Sequence, residues 1–376
     1  MSVEIHRIDP KRSQLRKFVR FGIDLYKDNP YFVPPLIFDD INTLLPAKNP
    51  AFDFCEAQCF MAYRDGKPVG RIAGIINNAV NERTGEKTLR FGFVDFIDDD
   101  EVVDALFDAC AGWGREKGMT SMLGPMGFTD MDHEGMLVEG FDQLGTMATI
   151  YNYPYYPEQM SRMGFTPEAE WIEMAIPVPD HIPEKYARVA EIVKTRNNLK
   201  VLKFNSRKKI KEQYGHALFE LINEAYDQLF GYSPLTPRQI DYYIDMYLGI
   251  LNLEFVTLVV DSDDKLVAVG ISIQSFSRAL QKCRGRLFPF GWWDLLQVLR
   301  GKSDIVDLLL IAVKPEYQNK GVNALLFTDL IPRYRKAGFK HAETNPELAV
   351  NAKVRSQWDA FDARLHKRRR AFRRPL

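Results

Sequence analysis

Residues 304–326 read DIVDLLLIAVKPEYQNKGVNALL, and this stretch decides the fold of the second half of the chain. The apolar run 304–313 predicts a buried β-strand, and the pattern over residues 324–336 predicts an amphipathic helix. The loop between them is polar and contains Gly321. The first turn of such a helix leaves N–H groups without partners, and the helix dipole favours an anion there, so the stretch predicts a phosphate-binding loop.

The segments on either side of this stretch complete an ordered set of elements. Residues 254–260 and 266–274 flank the polar turn 261–264 and predict a β-hairpin. Gly338 ends the helix, and residues 339–344 predict another strand. The order in the second half is therefore hairpin, strand, helix, strand.

The first half of the chain repeats that order. Its hairpin covers residues 60–76, its next strand residues 89–97 and its helix residues 101–117, and a last strand follows Gly118. Two such copies indicate an internal duplication. We therefore predict an α/β protein of two tandem domains, each with a mixed sheet in which antiparallel hairpin strands precede a parallel strand–helix–strand crossover.

A proline-rich segment separates the two copies. Residues 177–183 read PVPDHIP, a composition that disfavours helix. We place the boundary in the region 178–200 and assign residues 1–180 to the first domain and residues 181–376 to the second.

The composition excludes several classes of protein. Lys+Arg and Asp+Glu number 50 each, so no global field favours nucleic acid, and none is expected as a partner. Cys55 and Cys59 have no second Cys/His pair at ligand spacing, which predicts free thiols in a reducing cytoplasm and no bound metal. The N-terminal residues do not read as a signal peptide, and no apolar run reaches the ~18–20 residues that span a bilayer. We expect a cytoplasmic protein.

The loop before the second helix resembles a known motif. QNKGVN at residues 318–323, after VKPEY, is similar to the pyrophosphate loop of the GCN5-related N-acetyltransferase (GNAT) superfamily, whose pattern is Gln/Arg-x-x-Gly-x-Gly/Ala. Gln318 and Gly321 match this pattern, whereas Asn323 replaces the usual small residue. The resemblance implies two GNAT-like domains, an acyl-coenzyme A (acyl-CoA) co-substrate and transfer of its acyl group to an amine. The positions that it implies for coenzyme A are Val313, Gln318, Asn319, Lys320, Gly321, Val322, Asn323 and Asn351.

The first copy lacks such a loop. Residues 98–101 read DDDE where phosphates would lie, and like charges repel them, so we interpret the first domain as degenerate for coenzyme A. Its distinctive feature is a loop at residues 124–141 that contains His133 and Glu134. Function in α/β folds is commonly found in loops beyond strand ends, as this one is.

Three residues are the main candidates for the general base of acyl transfer, and Asp307 in the strand 304–313 is a further one. Glu343 lies at the end of the last strand, and His133 and Glu134 belong to the first half. Each has a structural alternative, as a surface ion pair for Glu343 or a turn for the other two. No Cys or Ser stands in a recognisable nucleophile setting with a neighbouring His, which favours direct attack by the amine. A backbone N–H of strand 304–313 would stabilise the oxyanion.

Most of the chain also resembles a narrower group, the tandem-domain acyltransferases that include bacterial ceramide synthase-like proteins. The segments that carry this resemblance are NPYFVPPL at residues 29–36, EGMLVEGF at 134–141, YNYPYY at 151–156 and HKRRRAF at 366–372. It implies a long-chain acyl-CoA donor and a lipid amine acceptor of the sphingoid type. Two alternatives stay open: a non-catalytic acyl-CoA or lipid-binding protein, and an aminoacyl-tRNA-dependent transferase of the tandem GNAT type.

Two basic segments suggest further partners. Residues 278–300 combine arginines and Lys282 with Phe288, Phe290, Trp292 and Trp293, a composition that suits peripheral contact with an anionic membrane. The alternative is an insertion whose aromatic rings pack between the domains. The tail 364–374 is also basic and could form a surface strand or a phosphate- or membrane-facing patch.

Overall fold

A computed structural model describes residues 2–376, apart from the side chains of residues 352 and 353. The strands within these residues are β1 (Glu4–Ile8), β2 (Cys55–Arg64), β3 (Lys67–Asn77), β4 (Thr88–Phe96), β5 (Ser121–Gly124), β6 (Met136–Glu139), β7 (Thr166–Pro177), β8 (Lys200–Leu202), β9 (Val256–Val260), β10 (Leu266–Gln274), β11 (Ile305–Val313), β12 (His341–Thr344), β13 (Glu347–Leu348) and β14 (Arg364–Pro375).

The α-helices within the same residues are α1 (Arg12–Leu25), α2 (Ile37–Thr43), α3 (Asn78–Thr84), α4 (Asp100–Glu116), α5 (Tyr155–Arg162), α6 (Glu184–Arg196), α7 (Arg207–Tyr226), α8 (Pro237–Tyr247), α9 (Ser277–Cys283), α10 (Gly291–Leu299), α11 (Asn323–Ala337) and α12 (Ala352–Arg355). The mixed α/β class predicted from the sequence is confirmed.

The chain forms two compact units that are not contiguous in sequence. Unit 1 comprises the residues up to Ile172 together with Ser277–Asp294 and His366–Leu376, and unit 2 comprises Glu173–Phe276 and Leu295–Leu365. These bounds differ from the continuous ranges 1–180 and 181–376 predicted above. The reason is that Ser277–Asp294 and His366–Leu376, although late in the chain, join unit 1 through hydrogen bonds to residues that are far away in the sequence. The sequence alone does not reveal such contacts.

In unit 1, the sheet order is β1-β2-β3-β4-β5-β14, and β6 also pairs with β14. Strands β4 and β5 are parallel, and the other pairs are antiparallel. The predicted first hairpin is confirmed as β2 and β3, joined at Asp65 and Gly66, which both have positive φ angles. Helix α4 packs its apolar face into the main core of this unit, through residues such as Leu106 and Cys110.

A buried ion pair joins α1 to the sheet of unit 1. Arg71 on β3 binds Asp95 on β4 at 2.6 Å, and both side chains are less than a tenth exposed. Arg71 also donates to the carbonyl of Phe18 in α1 at 3.2 Å. The pair therefore fixes the helix against two neighbouring strands.

In unit 2, the order is β12-β11-β10-β9-β8, and residues 175–177 at the end of β7 pair with β12. Strands β11 and β12 are parallel and the other pairs are antiparallel, as predicted for the second copy. The core lies between this sheet and helices α6 and α11 and includes Ala190, Val259, Leu326 and Leu330. Helix α11 ends at Gly338, whose φ of 84° suits glycine.

The basic tail is a paired strand, as in the first of the two alternatives left open by the sequence, and part of it is buried in unit 1. Residues 372–375 of β14 pair with β5, and residues 368–370 pair with β6. Lys367 and Arg369 are almost completely buried. Arg370 binds Glu170 through Nε at 2.7 Å. The tail cations therefore serve the packing of unit 1, because carboxylates and carbonyls satisfy them there.

We expect the Arg71→Met substitution to lower the free energy of unfolding by about 3–5 kcal/mol, because the Asp95 carboxylate would remain buried without its cation. Urea titration followed by near-UV circular dichroism measures the loss. The matched control is Lys117→Met, which breaks an ion pair with Glu56 whose side chains are 42% and 47% exposed. The control should change the stability by at most about 1 kcal/mol. Equal losses in the two variants would contradict a special role for the buried pair.

Candidate functional site

The central feature of unit 2 is the point at which β11 separates from β12. Their parallel pairing runs from Ile305↔His341 to Leu308↔Thr344 and stops there, although β11 continues to Val313. At the same point the register with β10 shifts, so that Leu309 is an extra residue in β11. This bulge bends the strand and opens a gap beside its second half.

Side chains, rather than a strand, satisfy the carbonyl groups along the open edge of β11. The carbonyl of Leu309 accepts from Asn345 Nδ2 at 2.8 Å, and that of Ile311 accepts from Tyr226 Oη at 3.0 Å. The carbonyl of Val313 accepts from Gln318 Nε2 at 3.1 Å. Three side chains thus replace the missing neighbour as hydrogen-bond donors.

The N–H groups of Ile311 and Val313 lie on that same edge, because a residue in a strand directs its N–H and C=O to the same side. Within residues 2–376, no strand pairs with this part of the edge. The side chains of Leu308, Leu309 and Leu310 are half-buried, although they belong to an inner strand. The edge therefore offers backbone donors next to an accessible apolar surface.

The open edge continues into the loop predicted to bind phosphate. Gln318, Asn319 and Lys320 are exposed, and positive φ angles at Asn319 (61°) and Gly321 (78°) turn the chain into helix α11. Within the part of the chain that the structure describes, four backbone N–H groups have no acceptor, those of Asn319, Gly321, Val322 and Asn323. Unpartnered N–H groups at a helix start form a site for an anion.

The equivalent helix start in unit 1 is closed. Asp99 precedes α4 and accepts the N–H of Val102 at 3.1 Å, and it binds Arg64 at 2.7 Å. The Arg64 guanidinium lowers the pKa of Asp99, which keeps the carboxylate charged. A carboxylate from the chain thus takes the place that an anion would occupy, and the loss of coenzyme A binding in the first copy stays a prediction.

An acid that the sequence analysis missed lies near the open edge. Glu347 on β13 accepts a hydrogen bond from Trp358 Nε1 at 3.0 Å. Burial raises the pKa of Glu347 to about 7, and the bond from Trp358 partly offsets that rise. Burial also raises the pKa of Tyr226, and the charge of Glu347 adds to the effect, so the acid lies near the tyrosine that binds Ile311. A pKa near neutrality suits proton transfer.

Two of the predicted residues of unit 2 have structural contacts. Glu343, a candidate base, lies on β12, and one of its carboxylate oxygens is within 4.8 Å of an oxygen of Glu173, a completely buried residue. Asn351, predicted to contact coenzyme A, accepts the N–H of Val354 at 3.3 Å at the start of α12. Its side-chain oxygen therefore acts as a helix cap. The roles proposed for both residues stay predictions.

The other two candidate bases belong to unit 1. His133 Nε2 is 3.0 Å from the carbonyl of Met147, and burial lowers the pKa of this histidine. One carboxylate oxygen of Glu134 is buried without a hydrogen-bond partner among the described residues, and burial raises the pKa of Glu134 well above its usual value. A protonated carboxyl group does not accept a proton, so Glu347 is better suited than Glu134 to be the base.

The fold of the chain is that of the tandem-domain GCN5-related N-acetyltransferases, as the loop and the repeated element order predicted. A solved tandem GNAT protein from the clavulanic acid biosynthesis pathway covers 100% of this chain and 98% of its own, with a TM-score of 0.58 and 11% identity. At this identity the likeness shows the fold alone.

Two particular relatives are similar to the chain in sequence. Protein YghO from Escherichia coli (strain K12) is 26% identical over 371 residues, which are 97% of this chain and 94% of YghO. A bacterial ceramide synthase from Caulobacter vibrioides is 26% identical over 309 residues, 81% of this chain and 79% of the relative. No protein-family model matches the chain.

Among the residues that the structure describes, no helix combines the length and the apolar character needed to cross a membrane. This agrees with the absence of a long apolar run in the sequence.

We expect Gly321→Ala to destabilise the protein. A Cβ atom at this position would lie 2.6 Å from Val189 Cγ1 in α6, and the φ of 78° is unfavourable for alanine. Strain and overpacking together should cost about 2–4 kcal/mol. The control Gly338→Ala has a similar φ of 84° with open space around it, and should cost about 1–2 kcal/mol. Thermal unfolding measures both.

Adding Val189→Ala to the Gly321→Ala variant should restore part of the stability, because it removes the methyl group that clashes. No recovery would show that the contact with α6 is unimportant. Since any side chain at position 321 disturbs the fold as well as the loop, ligand binding is better tested at Lys320.

Proposed function

We propose that this protein is an N-acyltransferase that transfers an acyl group from acyl-CoA to an amine, and that unit 2 holds the acyl-CoA. The observation that carries the proposal is the continuous donor surface formed by the open edge of β11 and the loop that begins at Gln318. Acyl-CoA combines an amide-containing pantetheine arm with a diphosphate. The strand edge suits the arm, and the loop suits the diphosphate.

The loop would hold the diphosphate with backbone groups and one charge. The N–H groups of Asn319, Gly321, Val322 and Asn323 are available as donors. Lys320 is exposed, and its Nζ lies 5.3 Å from the centre of the Tyr317 ring, so the ammonium group is held near the loop. Asn323 begins α11 and is half-buried, so the departure from the usual small residue leaves the helix start intact.

The reaction would proceed by direct attack. The amine nitrogen forms a bond to the thioester carbon, the carbonyl oxygen takes the developing charge, and the carbon–sulfur bond breaks to release the coenzyme A thiolate. An N–H group on the open edge, from Ile311 or Val313, would stabilise the oxygen, an effect worth about 2.7–4 kcal/mol at a preorganised donor. Glu347 would accept the proton that the amine loses.

The acceptor that we favour is a lipid amine of the sphingoid type. One relative, 26% identical over 309 residues, is named a bacterial ceramide synthase, and a ceramide is the N-acyl product of such an amine. The half-buried Leu308, Leu309 and Leu310 supply an apolar surface beside the open edge. Thiol release from a panel of acyl-CoAs, with a sphingoid base and short polar amines as acceptors, tests the assignment. Binding of acyl-CoA without turnover for any amine would contradict it.

We expect Lys320→Glu to weaken the binding of coenzyme A at least about tenfold, because a carboxylate would face the diphosphate. Isothermal titration calorimetry measures the dissociation constant. Lys336→Glu is the matched control. Lys336 is an exposed lysine in the last turn of α11, the helix that follows the loop. It changes the net charge equally and should alter the affinity less than about twofold at physiological salt. Equal effects of the two variants would place the diphosphate elsewhere.

We expect Glu347→Gln to reduce kcat by about 10²–10⁴-fold, which is the usual contribution of a positioned base. In the unsubstituted protein, kcat should rise with pH through about 7, because only the deprotonated carboxylate accepts a proton. Glu343→Gln is the control that separates the two candidate bases. A large loss in Glu343→Gln with little loss in Glu347→Gln would restore the assignment made from the sequence.

Trp358→Phe should move the acidic limb of the same pH profile to higher pH, because it removes the hydrogen bond that partly lowers the pKa of Glu347. An unchanged midpoint with reduced activity would indicate that Trp358 acts only through packing.

A further inference from the structure

The segment Ser277–Asp294 of unit 1 exposes four aromatic side chains within six residues. Phe288 and Phe290 are 79% and 76% exposed, and Trp292 and Trp293 are 46% and 47% exposed. Phe38 of α2 is 44% exposed, and it follows Ile37, whose N–H binds the carbonyl of Gly285 at 3.0 Å. Clustered aromatic residues of this kind, unlike single exposed ones, mark a surface that binds a partner.

The segment is held in place rather than left without contacts. Gln281 donates from Nε2 to the carbonyls of Pro30 and Phe32 at 2.8 and 2.9 Å. Gly285 packs so closely on Pro35 that a Cβ atom would lie 2.1 Å from its carbonyl oxygen. The aromatic residues are therefore presented by a fixed scaffold.

The charge beside these rings is positive. Four cations belong to the segment, Arg278, Lys282, Arg284 and Arg286, and all are exposed. Its one carboxylate, Asp294, pairs with Lys282. Arg284 and Arg286 have no ion pair among the described residues.

The two arginines also line a cavity of about 200 Å³ in unit 1. It is also lined by Arg20, Lys27, Asn29 and one acid, Asp24. The Asp24 carboxylate oxygen Oδ2 lies 3.9 Å from the guanidinium nitrogen Nη2 of Arg20. The cavity thus has more cations than anions and offers hydrogen-bond donors. Its chemistry suits a phosphate group.

We propose that unit 1 docks on an anionic phospholipid bilayer, with Phe288, Phe290, Trp292 and Trp293 inserted at the headgroup level. Arg284 and Arg286 contact lipid phosphates there. Aromatic rings prefer the interface between headgroups and acyl chains, and cations next to them are attracted by the negative surface potential. This function goes beyond acyl transfer and does not depend on the loop of unit 2.

The experiment uses the full-length protein and vesicles of phosphatidylglycerol and phosphatidylcholine, with pure phosphatidylcholine vesicles for comparison. Co-sedimentation should show binding to the anionic vesicles, and high salt should weaken it. The F288S/F290S variant should bind at least about tenfold more weakly, because binding follows the apolar area that is inserted. The R284E/R286E variant should lose the preference for anionic lipid. The control is Ile192→Ser, since Ile192 is 51% exposed on α6 of unit 2.

Tryptophan fluorescence provides an independent measure of insertion. Of the five tryptophans, Trp113, Trp171 and Trp358 are at most 6% exposed, so quenching by brominated lipids reports Trp292 and Trp293. Quenching should disappear in the W292F/W293F variant. Thermal unfolding verifies that each variant remains folded.

Three results would overturn the proposal. They are equal binding to anionic and neutral vesicles, unchanged binding of F288S/F290S, and a concentration-dependent dimer in solution that F288S/F290S abolishes. The last result would assign the surface to a second copy of this chain. Acyl transfer to a soluble amine should be retained in the F288S/F290S variant, so a failure of the membrane proposal can be distinguished from a failure of the acyltransferase assignment.

Discussion

The separation of β11 from β12 after Leu308 is the constraint on which the rest of the candidate site depends. An inner strand that loses a neighbour leaves polar backbone groups that need partners. Asn345, Tyr226 and Gln318 meet this need for three carbonyls, and each of these residues comes from a different segment. The gap is thus part of the folded structure and is stabilised by specific hydrogen bonds. It brings together the N–H groups of the strand edge, an apolar surface and the start of α11, where backbone N–H groups have no acceptor among the described residues.

The two copies of the fold show how one position can gain or lose a site. At the start of α4, the Asp99 carboxylate accepts the N–H of Val102. Its contact with Arg64 lowers its pKa and so keeps it ionised. At the start of α11, the residue in the same place is Val322, and no side chain caps the helix. The N-cap residue is therefore one difference between a helix start that binds its own chain and one that remains available to an anion.

The sequence predicted the repeated order of elements because hydrophobic periodicity and glycine stops are local signals. It also located the loop at Gln318–Asn323, since the pattern of residues there is contiguous. It could not predict the bulge at Leu309, which arises from pairing with β10, or the buried position of Glu347, whose hydrogen bond from Trp358 joins two segments with no shared motif. The buried position of Arg369 was missed for a similar reason, because a run of cations reads as surface until its distant partners are known.

The hydrogen-bonded carbonyls of β11 have a consequence for what can enter the gap. A β-strand that added to this edge would need acceptors for its own N–H groups as well as donors for its carbonyls. At Leu309, Ile311 and Val313 the acceptors are already engaged by side chains. The groove therefore favours ligands that bring hydrogen-bond acceptors to the free N–H groups of this edge, and the engaged carbonyls disfavour the edge-to-edge association with other polypeptides that a bare strand would invite.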